Sequence, residues 1–565
     1  MLEDGSCSNH ESQEDTIVAK AIGRIGRWQL EKTILLAFCF TPLAWHFMAY
    51  PLISRGNDYW CLSPFSDDGS DFSDDQCFLQ THINDTLEEV PCQSWEFDHR
   101  STITIQEDFQ LVCQFEHFLA LRQILFFSGM LLGCLTTGYL SDLLGRKTTM
   151  LALMGVWSLT SILHIFAYDF RLFLVLQFIL AFTCNSAWTT SWIWTMEVVN
   201  GKWRTILGCG TFLFWGIGYI TLPGIVWLFP NWRNAWAAMS LPTLLFAVYY
   251  FIIPESPMWL ICNGREHEAK AILRDAAKRN GIEPLTNAQW NKIMEASALG
   301  SQSDVSSSTG FTSLVKTPNL RKRSLILFIS WFVCSLTYYG LSLNSNGIGE
   351  DPFLTFTLFG AIEIPAILVS VVSLLTAGRR LPLIFLLFGS GICCTCAAVV
   401  PAGIFPGNWP TILLAIGGKF CITCCFHILF VYSSEIYATT ARNTGVGCCS
   451  VFARAGGMVA PFVEQLRTVN PYLPIAVFGI SACFAALLSS FMPETKGRKL
   501  PETVEESEEF GSDDTLWSSI FPSSRQNSFI NCEQESSPDS TKPPTTPNPK
   551  SPETCSRKDA YFHFD

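Results

Sequence analysis

Charged residues are scarce in this chain. Of its 565 residues only 15% are Asp, Glu, Lys or Arg, whereas 49% are hydrophobic. A soluble protein of this length carries roughly a quarter charged residues, so the shortage argues against a soluble fold and indicates a membrane protein. The formal net charge of −12 does not point to a particular partner, because the acids concentrate at 54–117 and 502–539. We expect no nucleic-acid partner.

Sequence patterns typical of other classes are also missing. The chain has no Gly-x-x-x-x-Gly-Lys-Ser/Thr loop, which disfavours an ATP-driven pump. It has no His/Glu motif at helical spacing, so we do not expect an enzyme, and we expect no metal and no cofactor. The polar N-terminal segment, 1–29, starts with acidic residues and lacks the short apolar run of a cleavable signal.

Long apolar runs, by contrast, are abundant. There are twelve, each near the ~20 residues that a helix needs to cross a bilayer. Lys and Arg concentrate in alternate loops, which by the positive-inside rule places both chain termini in the cytoplasm. The sequence therefore predicts an all-α membrane protein with twelve transmembrane helices. We number these spans 1 to 12; they cover 30–53, 118–140, 148–167, 170–195, 205–229, 234–253, 324–343, 353–377, 381–402, 409–432, 440–463 and 471–492.

The loop 54–117 holds four cysteines and one glycosylation sequon at Asn84. Four cysteines in one hydrophilic loop predict two disulfides on an oxidising face, with three possible connectivities. The sequon agrees with an extracellular position. Most other cysteines lie in apolar runs, where we expect them to pack as small apolar side chains. The disulfide candidates are Cys61, Cys77, Cys92 and Cys113.

Two polar regions divide the chain further. Residues 254–323 are predicted to be a cytoplasmic linker that separates an N-terminal half, 30–253, from a C-terminal half, 324–492. Residues 493–565 are predicted to be a disordered cytoplasmic tail, because an acidic stretch is followed by Ser-, Pro- and Thr-rich sequence with few apolar residues.

The two halves contain matching charged loops at a nearly constant offset of 233 to 239 residues. Three matches in the same order indicate an internal repeat of six helices. The matching pairs are Gly145-Arg146-Lys147 with Gly378-Arg379-Arg380, Glu197…Arg204 with Glu435…Arg442, and Pro254-Glu255-Ser256 with Pro493-Glu494-Thr495.

The loop between spans 2 and 3, Gly138-Tyr139-Leu140-Ser141-Asp142-Leu143-Leu144-Gly145-Arg146-Lys147, closely resembles the corresponding loop of the major facilitator superfamily of transporters. The resemblance implies two six-helix halves with the substrate site between them and alternating access to the two sides. We expect an ion-pair lattice to hold the cytoplasmic face closed. In the alternative interpretation these basic residues only obey the positive-inside rule. The predicted gating residues are Asp142, Arg146, Glu197, Arg204, Glu435 and Arg442.

Further segments are similar to the organic cation, anion and zwitterion transporters of solute carrier family twenty-two. They are Pro254–Leu260, Leu341–Asn344, Glu363–Pro365, Gly418–Phe420 and Glu435–Gly447, together with the Cys-rich loop. The opening Gly26-Arg27-Trp28-Gln29 and Ala44-Trp45-His46 resemble insect organic-cation-transporter-like proteins. Two departures stand out. Met258 occupies a position where an Arg is usual, and the loop Thr376–Arg380 lacks the Asp of its first-half counterpart.

Charges deep in the spans are candidate substrate ligands, because a charge in a bilayer is costly unless it is paired or faces water. The resemblance implies that Glu363 binds organic cations. It also places Arg454 where cation carriers have an Asp and anion or zwitterion carriers have an Arg. Together with Lys419, these residues predict a pocket of both signs, in which the guanidinium grips a carboxylate. The alternative is that Glu363 pairs with Arg454 or Lys419 and only holds helices together.

Aromatic side chains are expected to form the apolar walls, because Trp and Tyr faces attract ammonium groups. The resemblance places Trp188, Trp331, Tyr338 and His427 at cavity positions, with Tyr219 and Tyr339 as further candidates. His46 is either a proton carrier or, as we favour, a hydrogen-bonded packing residue.

The sequence thus predicts a plasma-membrane transporter that moves small organic ions by alternating access. Zwitterions similar to carnitine, carcinine or β-alanine are favoured as substrates. An organic cation transporter is the alternative, and a non-transporting receptor or sensor on the same fold is a further one. Coupling to Na⁺ or H⁺ stays open.

Overall fold

The computed structural model describes residues 17–54, 56, 58–61, 77–83, 86–92, 94–98, 103–292, 294, 311–348, 351–400, 405–438, 441–498, 501 and 503–511. The predicted glycosylation site at Asn84 lies outside these residues. Where it is described, the chain is almost entirely helical, apart from short strands in the loop 54–117.

The first half contains six spans, and three of them are interrupted helices. Span 1 is broken into three short helices, the third of which has Pro51 in its first turn, where a missing N–H is tolerated. The bounds are Arg27–Ala37, Phe40–Met48 and Tyr50–Ile53 for span 1; His117–Leu144 for span 2; Arg146–Leu163 with the 3₁₀ turn His164–Phe166 for span 3; Phe170–Val198 for span 4; Lys202–Gly210 and Phe212–Leu228 for span 5; and Trp232–Ser240, the 3₁₀ helix Leu241–Val248 and Tyr249–Ile252 for span 6.

The second half repeats this arrangement. Its bounds are Pro318–Leu343 for span 7, followed by the short helix Ser345–Ile348; Pro352–Ala361 and Glu363–Thr376 for span 8; Arg380–Val399 for span 9; the 3₁₀ turn Pro406–Asn408 and Trp409–Ile436 for span 10; Arg442–Gln465 with the 3₁₀ turn Leu466–Thr468 for span 11; and Leu473–Ser489 for span 12. Within the described ranges, ten helical segments are long and apolar enough to cross a membrane. Span 12 is a shorter apolar helix, and span 1 is divided.

Small residues bring the spans close together, as is typical of helix pairs in membranes. In the first half, Gly129 and Gly133 of span 2 face the backbone of span 4, and a Cβ at Gly133 would crowd the hydroxyl of Ser186. Spans 7 and 11 form a close pair in the second half, and spans 2 and 11 pack across the boundary between the halves.

Short helices outside the membrane spans cover the end that carries the charged loops. Their bounds are Ile17–Ile22, Pro257–Cys262, Glu266–Asn280, Phe311–Lys316 and Val504–Glu509. Asn280 accepts a hydrogen bond from the backbone N–H of Trp28 at 2.9 Å and donates to Ile22 O at 2.9 Å. The linker helix therefore caps the start of span 1.

The C-terminal helix caps span 7 in a similar way. The Glu508 carboxylate accepts the backbone N–H groups of Asn319 and Leu320, each at 2.8 Å, and Arg323 donates to Ser507 O. The prediction of disorder from residue 493 onward is therefore wrong for residues 503–511. A helix start has backbone N–H groups without intrahelical acceptors, and a carboxylate satisfies them. The rest of the predicted tail, 512–565, lies outside the described residues.

At the opposite end, the loop after span 1 forms two small antiparallel sheets. Tyr59–Cys61 pairs with Trp95–Phe97, and Phe78–Ile83 pairs with Thr86–Pro91. Disulfides join Cys61 to Cys92 and Cys77 to Cys113, which selects one of the three predicted connectivities. The helix Ile105–Asp108 and the 3₁₀ turn Cys113–Phe115 lead into span 2.

Candidate functional site

A cavity of about 1090 Å³ lies between the two halves. Spans 1, 2, 4 and 5 line it from the first half, and spans 7, 8, 10 and 11 from the second. It extends from the middle of the spans to Asp142 and Arg146, so it is open at the charged-loop end. Seven of the nine predicted substrate ligands are on its wall: Trp188, Trp331, Tyr338, Tyr339, Glu363, His427 and Arg454.

Glu363 is the acidic group of this cavity. It begins the second helix of span 8 and is only 3% exposed. Its Oε1 accepts the hydroxyl of Tyr338 at 2.7 Å and that of Thr423 at 3.4 Å, and it lies 3.7 Å from Lys419 Nζ. The Tyr338 hydroxyl in turn accepts the indole N–H of Trp215 at 3.1 Å. Hydrogen bonds and an ammonium group therefore hold Glu363 in place.

Lys419 lies behind Glu363, outside the cavity wall. Its side chain is fully buried and donates to Ser342 Oγ at 2.8 Å and to Tyr338 O at 3.3 Å. Its Nζ stands 3.1 Å from the centroid of the Tyr338 ring. Tyr219, another predicted ligand, is also fully buried and packs on Phe356, 4.6 Å between ring centroids. Both residues therefore surround the acid and do not face the cavity.

Arg454 is the basic group of the cavity wall. It lies in the middle of span 11, is 8% exposed, and donates to Asn185 Oδ1 of span 4 at 3.0 Å. Its Nε–H has no acceptor, and in the part of the chain that the structure describes it forms no ion pair. Of the two pairings considered from the sequence, Glu363 with Lys419 is present and Glu363 with Arg454 is not.

Aromatic rings line most of the remaining wall. Trp188 packs on Phe40 at 5.7 Å, Trp331 on Phe426 at 5.2 Å, and His427 on Phe212 at 5.0 Å. The indole N–H groups of Trp188, Trp192 and Trp331 have no acceptor among the described residues. The wall thus combines apolar faces with hydrogen-bond donors.

Several residues line the cavity that the sequence analysis did not predict, and His46 does not line it. Asn185, Thr423, Trp192, Phe426 and Phe430 line the cavity. Asn185 is one of several uncharged polar residues in the apolar run of span 4, so the sequence did not single it out. His46 is fully buried away from the cavity, with Nδ1 2.7 Å from Pro42 O. The packing interpretation of His46 is confirmed.

The charged loop of the first half centres on Arg146. Its Nη1 donates to Asp142 at 2.5 Å, and its Nε and Nη2 donate to Glu197 Oε1 at 3.0 and 2.9 Å. Glu255 accepts the backbone N–H groups of Arg146 and Lys147 at 2.9 and 3.0 Å, at the start of span 3. Gly145, with φ of 97°, allows this turn.

The second half centres on Arg379, which the predicted gating set did not include. Its Nε and Nη2 donate to Glu435 at 2.9 and 2.7 Å, and Glu494 accepts the backbone N–H groups of Arg379 and Arg380, both at 3.0 Å. The ion pairs of Arg146 and Arg379 each join residues of the same half. Arg204 lies on the cavity wall, and Arg442 begins span 11.

The other end of the cavity is closed by aromatic side chains. Phe127 of span 2 contacts Tyr339 of span 7, 4.9 Å between ring centroids, and a Cβ on Gly457 of span 11 would overlap the Phe127 ring. Phe47 and Phe126 pack beside this contact at 5.1 Å. The glycine therefore allows the two halves to meet at the end that carries the disulfide loop.

Two six-helix halves, a central cavity open at one end and two matching charged loops define a membrane transporter of the major facilitator fold. The fold is shared with the proton:xylose symporter XylE bound to 6-bromo-6-deoxy-D-glucose, with a TM-score of 0.60 and 15% identity over 85% of this chain and 98% of that one. The family model described as sugar (and other) transporter matches residues 103–506.

The chain belongs to that transporter family and, within it, to solute carrier family 22. It is 32% identical over 545 residues to solute carrier family 22 member 3 of Rattus norvegicus, covering 88% of this chain and 96% of the relative. It is 30% identical to the organic cation transporter protein of Drosophila melanogaster, covering 87% and 94%. It is 32% identical to organic cation/carnitine transporter 2 of Homo sapiens, covering 74% and 75%. The recognition from sequence motifs is confirmed, and these relatives are transporters rather than enzymes.

Proposed function

We propose that this transporter moves small organic zwitterions, with an amine or ammonium at one end and a carboxylate at the other. The observation that carries the proposal is the unequal pairing of its two buried charges. Glu363 is matched by Lys419 at 3.7 Å, whereas Arg454 has no carboxylate partner among the described residues. A carboxylate that reached Arg454 would be held by a charge-assisted, two-pronged hydrogen bond.

The charge balance separates this proposal from simple cation transport. Two buried basic groups, Lys419 and Arg454, accompany one acidic group, Glu363, so the site carries one excess positive charge when all three are ionised. A cation without a carboxylate would face that excess in a region of low dielectric. A zwitterion would place its acid on Arg454 and its ammonium near Glu363 and the faces of Trp331 and Tyr338.

Relatives provide the chemical range. The names of two of them include organic cations, and one of these also includes carnitine; carnitine carries both a quaternary ammonium and a carboxylate. Unpartnered indole N–H groups at Trp188, Trp192 and Trp331 add donors that suit a carboxylate or carbonyl. Carnitine-, carcinine- or β-alanine-like compounds therefore fit the proposal.

Transport would proceed by alternating access. The cavity opens at the charged-loop end and is shut by Phe127, Tyr339 and Gly457 at the other. Under the positive-inside prediction this is the inward-open state in a plasma membrane, with the disulfide loop outside. In the outward-open state we expect the loops around Arg146, Arg204 and Arg442 to meet and close the cytoplasmic face. The proposal of alternating access applies equally to transport driven by Na⁺, by H⁺ or by the substrate gradient alone.

The decisive experiment is uptake by cells that express the chain. Labelled carnitine, carcinine, β-alanine, a permanent cation and a dicarboxylate would be compared between wild type, Arg454→Asp, Arg454→Lys and Glu363→Gln. We expect zwitterion uptake by the wild type and its loss with Arg454→Asp. Arg454→Lys should retain part of it, because an ammonium keeps the charge but not the planar fork.

Surface expression of each variant, measured by biotinylation, is the control for misfolding. Strong uptake of the permanent cation by wild type that is indifferent to Arg454→Asp would overturn the zwitterion proposal. That outcome would favour the second candidate, an organic cation transporter, which the Glu363 carboxylate and the aromatic wall support. Specific binding of these compounds without uptake would instead favour a receptor.

A further inference from the structure

A second buried guanidinium lies outside the central cavity. Arg122 is in the second turn of span 2, near the end that carries the disulfide loop, and is 2% exposed. It does not line the cavity between the halves, so substrate binding does not explain it. A charge buried at this depth needs a counter-charge or water, since an isolated buried ion is among the most unfavourable groups in a membrane protein.

The contacts of Arg122 satisfy only part of its bonding capacity. Its Nη1 donates to the side-chain amide oxygen of Gln123 at 2.8 Å, and its guanidinium stacks on the ring of Tyr50 at 3.8 Å. The Nε–H has no acceptor in the part of the chain that the structure describes. A guanidinium has five N–H donors and no acceptor, so an amide and an aromatic face leave both its charge and one buried donor uncompensated.

Two further donors accumulate beside it. Tyr50 and Ser54 are one helical turn apart at the end of span 1, and their buried hydroxyl groups lie close enough to interact with each other. Neither hydroxyl has another hydrogen-bond partner among the described residues. Buried polar groups in proteins are nearly always hydrogen-bonded. The hydroxyl pair and the Arg122 Nε–H therefore place unused donor capacity side by side on two packed spans.

No acid within the described ranges neutralises Arg122. Glu116 and Glu464 are near enough to Tyr50 to act on it electrostatically, yet neither forms an ion pair or hydrogen bond with the guanidinium. Arg233, on the same side of the first half, is an arginine whose charge is paired with an acid. It is held by Asp108 at 2.7 Å and by Ile165 O at 2.7 Å.

We propose that Arg122, Tyr50 and Ser54 form a binding site for a small inorganic anion of the halide class, with chloride as the occupant outside cells. A monatomic anion accepts several donors at once and matches the charge of one guanidinium. It would join the end of span 1 to the start of span 2 at the closed end of the transporter. The helix Tyr50–Ile53 also packs against span 7, so the anion would support the contact between the halves.

The test uses the purified full-length protein in detergent, with thermal unfolding followed at equal ionic strength in sodium chloride, bromide or gluconate. We expect chloride and bromide to raise the unfolding midpoint in a saturable way, and gluconate not to. Arg122→Met should lose the saturable halide effect while it keeps any general salt effect. Tyr50→Phe keeps the ring under the guanidinium and removes only the hydroxyl, so halide affinity should fall by about tenfold.

Two matched variants separate this site from its rivals. Arg454→Met removes a buried arginine of the central cavity that forms no ion pair among the described residues, and it should leave the halide effect intact. Glu464→Gln should also leave it unchanged; a halide effect that appears or grows only in Glu464→Gln would mean that Glu464 is the counter-ion. An absent halide effect in wild type, meaning that water alone fills the site, would overturn the proposal. So would an effect that survives Arg122→Met and vanishes in Arg454→Met.

A structural readout covers the case in which Arg122→Met does not fold. Crystals of wild type grown in bromide should show an anomalous peak beside Arg122 Nε and the hydroxyls of Tyr50 and Ser54. In Tyr50→Phe with Ser54→Ala that peak should weaken or disappear. A bromide peak only beside Arg454 would assign the anion to the central cavity and contradict the proposal.

Discussion

In the first half Arg146 contacts two carboxylates, those of Asp142 and Glu197, whereas in the second half Arg379 contacts Glu435 and the carbonyl oxygen of Leu374. Three other features of the two loops correspond. Glu255 and Glu494 each cap the first backbone N–H groups of the following span, next to a glycine with positive φ. Ser256 and Thr495 donate to the matching Glu197 and Glu435.

The comparison teaches which part of the repeat is structural. Capping of a helix start by a distant carboxylate is present twice, because each half must end a buried loop without unsatisfied N–H groups. The additional carboxylate is present once and is 70% exposed. The capping glutamates therefore hold each half together, and Asp142 is an addition specific to the first half.

The largest effect is expected when either capping glutamate is removed. Glu255→Ala and Glu494→Ala each delete the acceptor of the first two backbone N–H groups of the following span, at an expected cost of about 3 kcal/mol in the free energy of unfolding. The two losses should be similar, as measured by the apparent melting temperature in detergent. Glu268→Ala, which removes a half-exposed partner of Arg265, is the control and should have little effect. A large loss in only one half would break the comparison.

A smaller and unequal effect is expected at the acidic partners. Glu435→Gln leaves Arg379 without a carboxylate, and we expect a loss of about 2 kcal/mol in the free energy of unfolding. Glu197→Gln leaves Arg146 with Asp142, so its loss should be about half as large. The same melting experiment measures both. Equal losses would show that Asp142 does not support Arg146.

Exchange of the distinctive acid between the halves should change stability by less than about 1 kcal/mol, because the site is exposed. Leu375 is the second-half position equivalent to Asp142, and it is 47% exposed. Asp142→Asn should change the transport rate and the balance of inward-open and outward-open states, measured by uptake and by side-specific cysteine labelling. Leu375→Asp should give Arg379 a second carboxylate and partly restore the stability lost in Glu435→Gln. An Asp142→Asn protein with unchanged rate and balance would contradict a gating role.

The smallest effect concerns the caps of spans 1 and 7. Burial raises the pKa of Glu508, but the Thr317 side chain, the backbone N–H groups of Asn319 and Leu320 and the charge of Arg323 together outweigh it and hold the pKa below the ordinary value. The folded pKa is thus the lower one, so this stabilisation is complete above the ordinary pKa of a glutamate and is lost as the pH falls through the folded value. Asn280, the cap of span 1, does not titrate.

We therefore expect acidification from pH 7 to a pH below the folded pKa of Glu508 to expose the amides of Asn319 and Leu320 to hydrogen exchange, and to leave the amide of Trp28 protected. Rates must be corrected for the intrinsic pH dependence of exchange. In Glu508→Gln the Asn319 and Leu320 amides should exchange alike at both pH values. Protection of these amides in wild type below the folded pKa of Glu508 would show that other contacts hold the C-terminal helix.

The twelve spans, the two halves and the loop disulfides were within reach of the sequence, because each depends on local composition or a short repeated motif. Arg454 and Glu363 could also be singled out, since a charge inside an apolar run is conspicuous. Asn185 and Thr423 were not, although they contact Arg454 and Glu363. Uncharged polar residues are common inside membrane helices, and only packing reveals which of them face a charge.

The C-terminal helix shows the opposite limit. Residues 503–511 are acidic and have too few apolar residues to order by themselves, so composition indicated disorder. Residues 503–511 are ordered because Glu508 accepts backbone N–H groups at the start of span 7, which have no acceptor within their own helix. That helix start lies nearly two hundred residues earlier in the chain. Composition does not register such a contact, because the energy comes from a partner that is distant in sequence.

The sequence by itself determined the membrane class, the number of spans, the repeat and the transporter family. Each of these follows from the length of apolar runs or from short charged motifs, which are properties of contiguous residues. Only the tertiary structure decided that Lys419 neutralises Glu363 from behind the cavity wall and that Arg454 forms no ion pair with an acid among the described residues. It also decided that Arg379 donates to Glu435 and that Arg122 lies buried against Tyr50. These are questions of distance between side chains on different helices, and packing alone sets that distance.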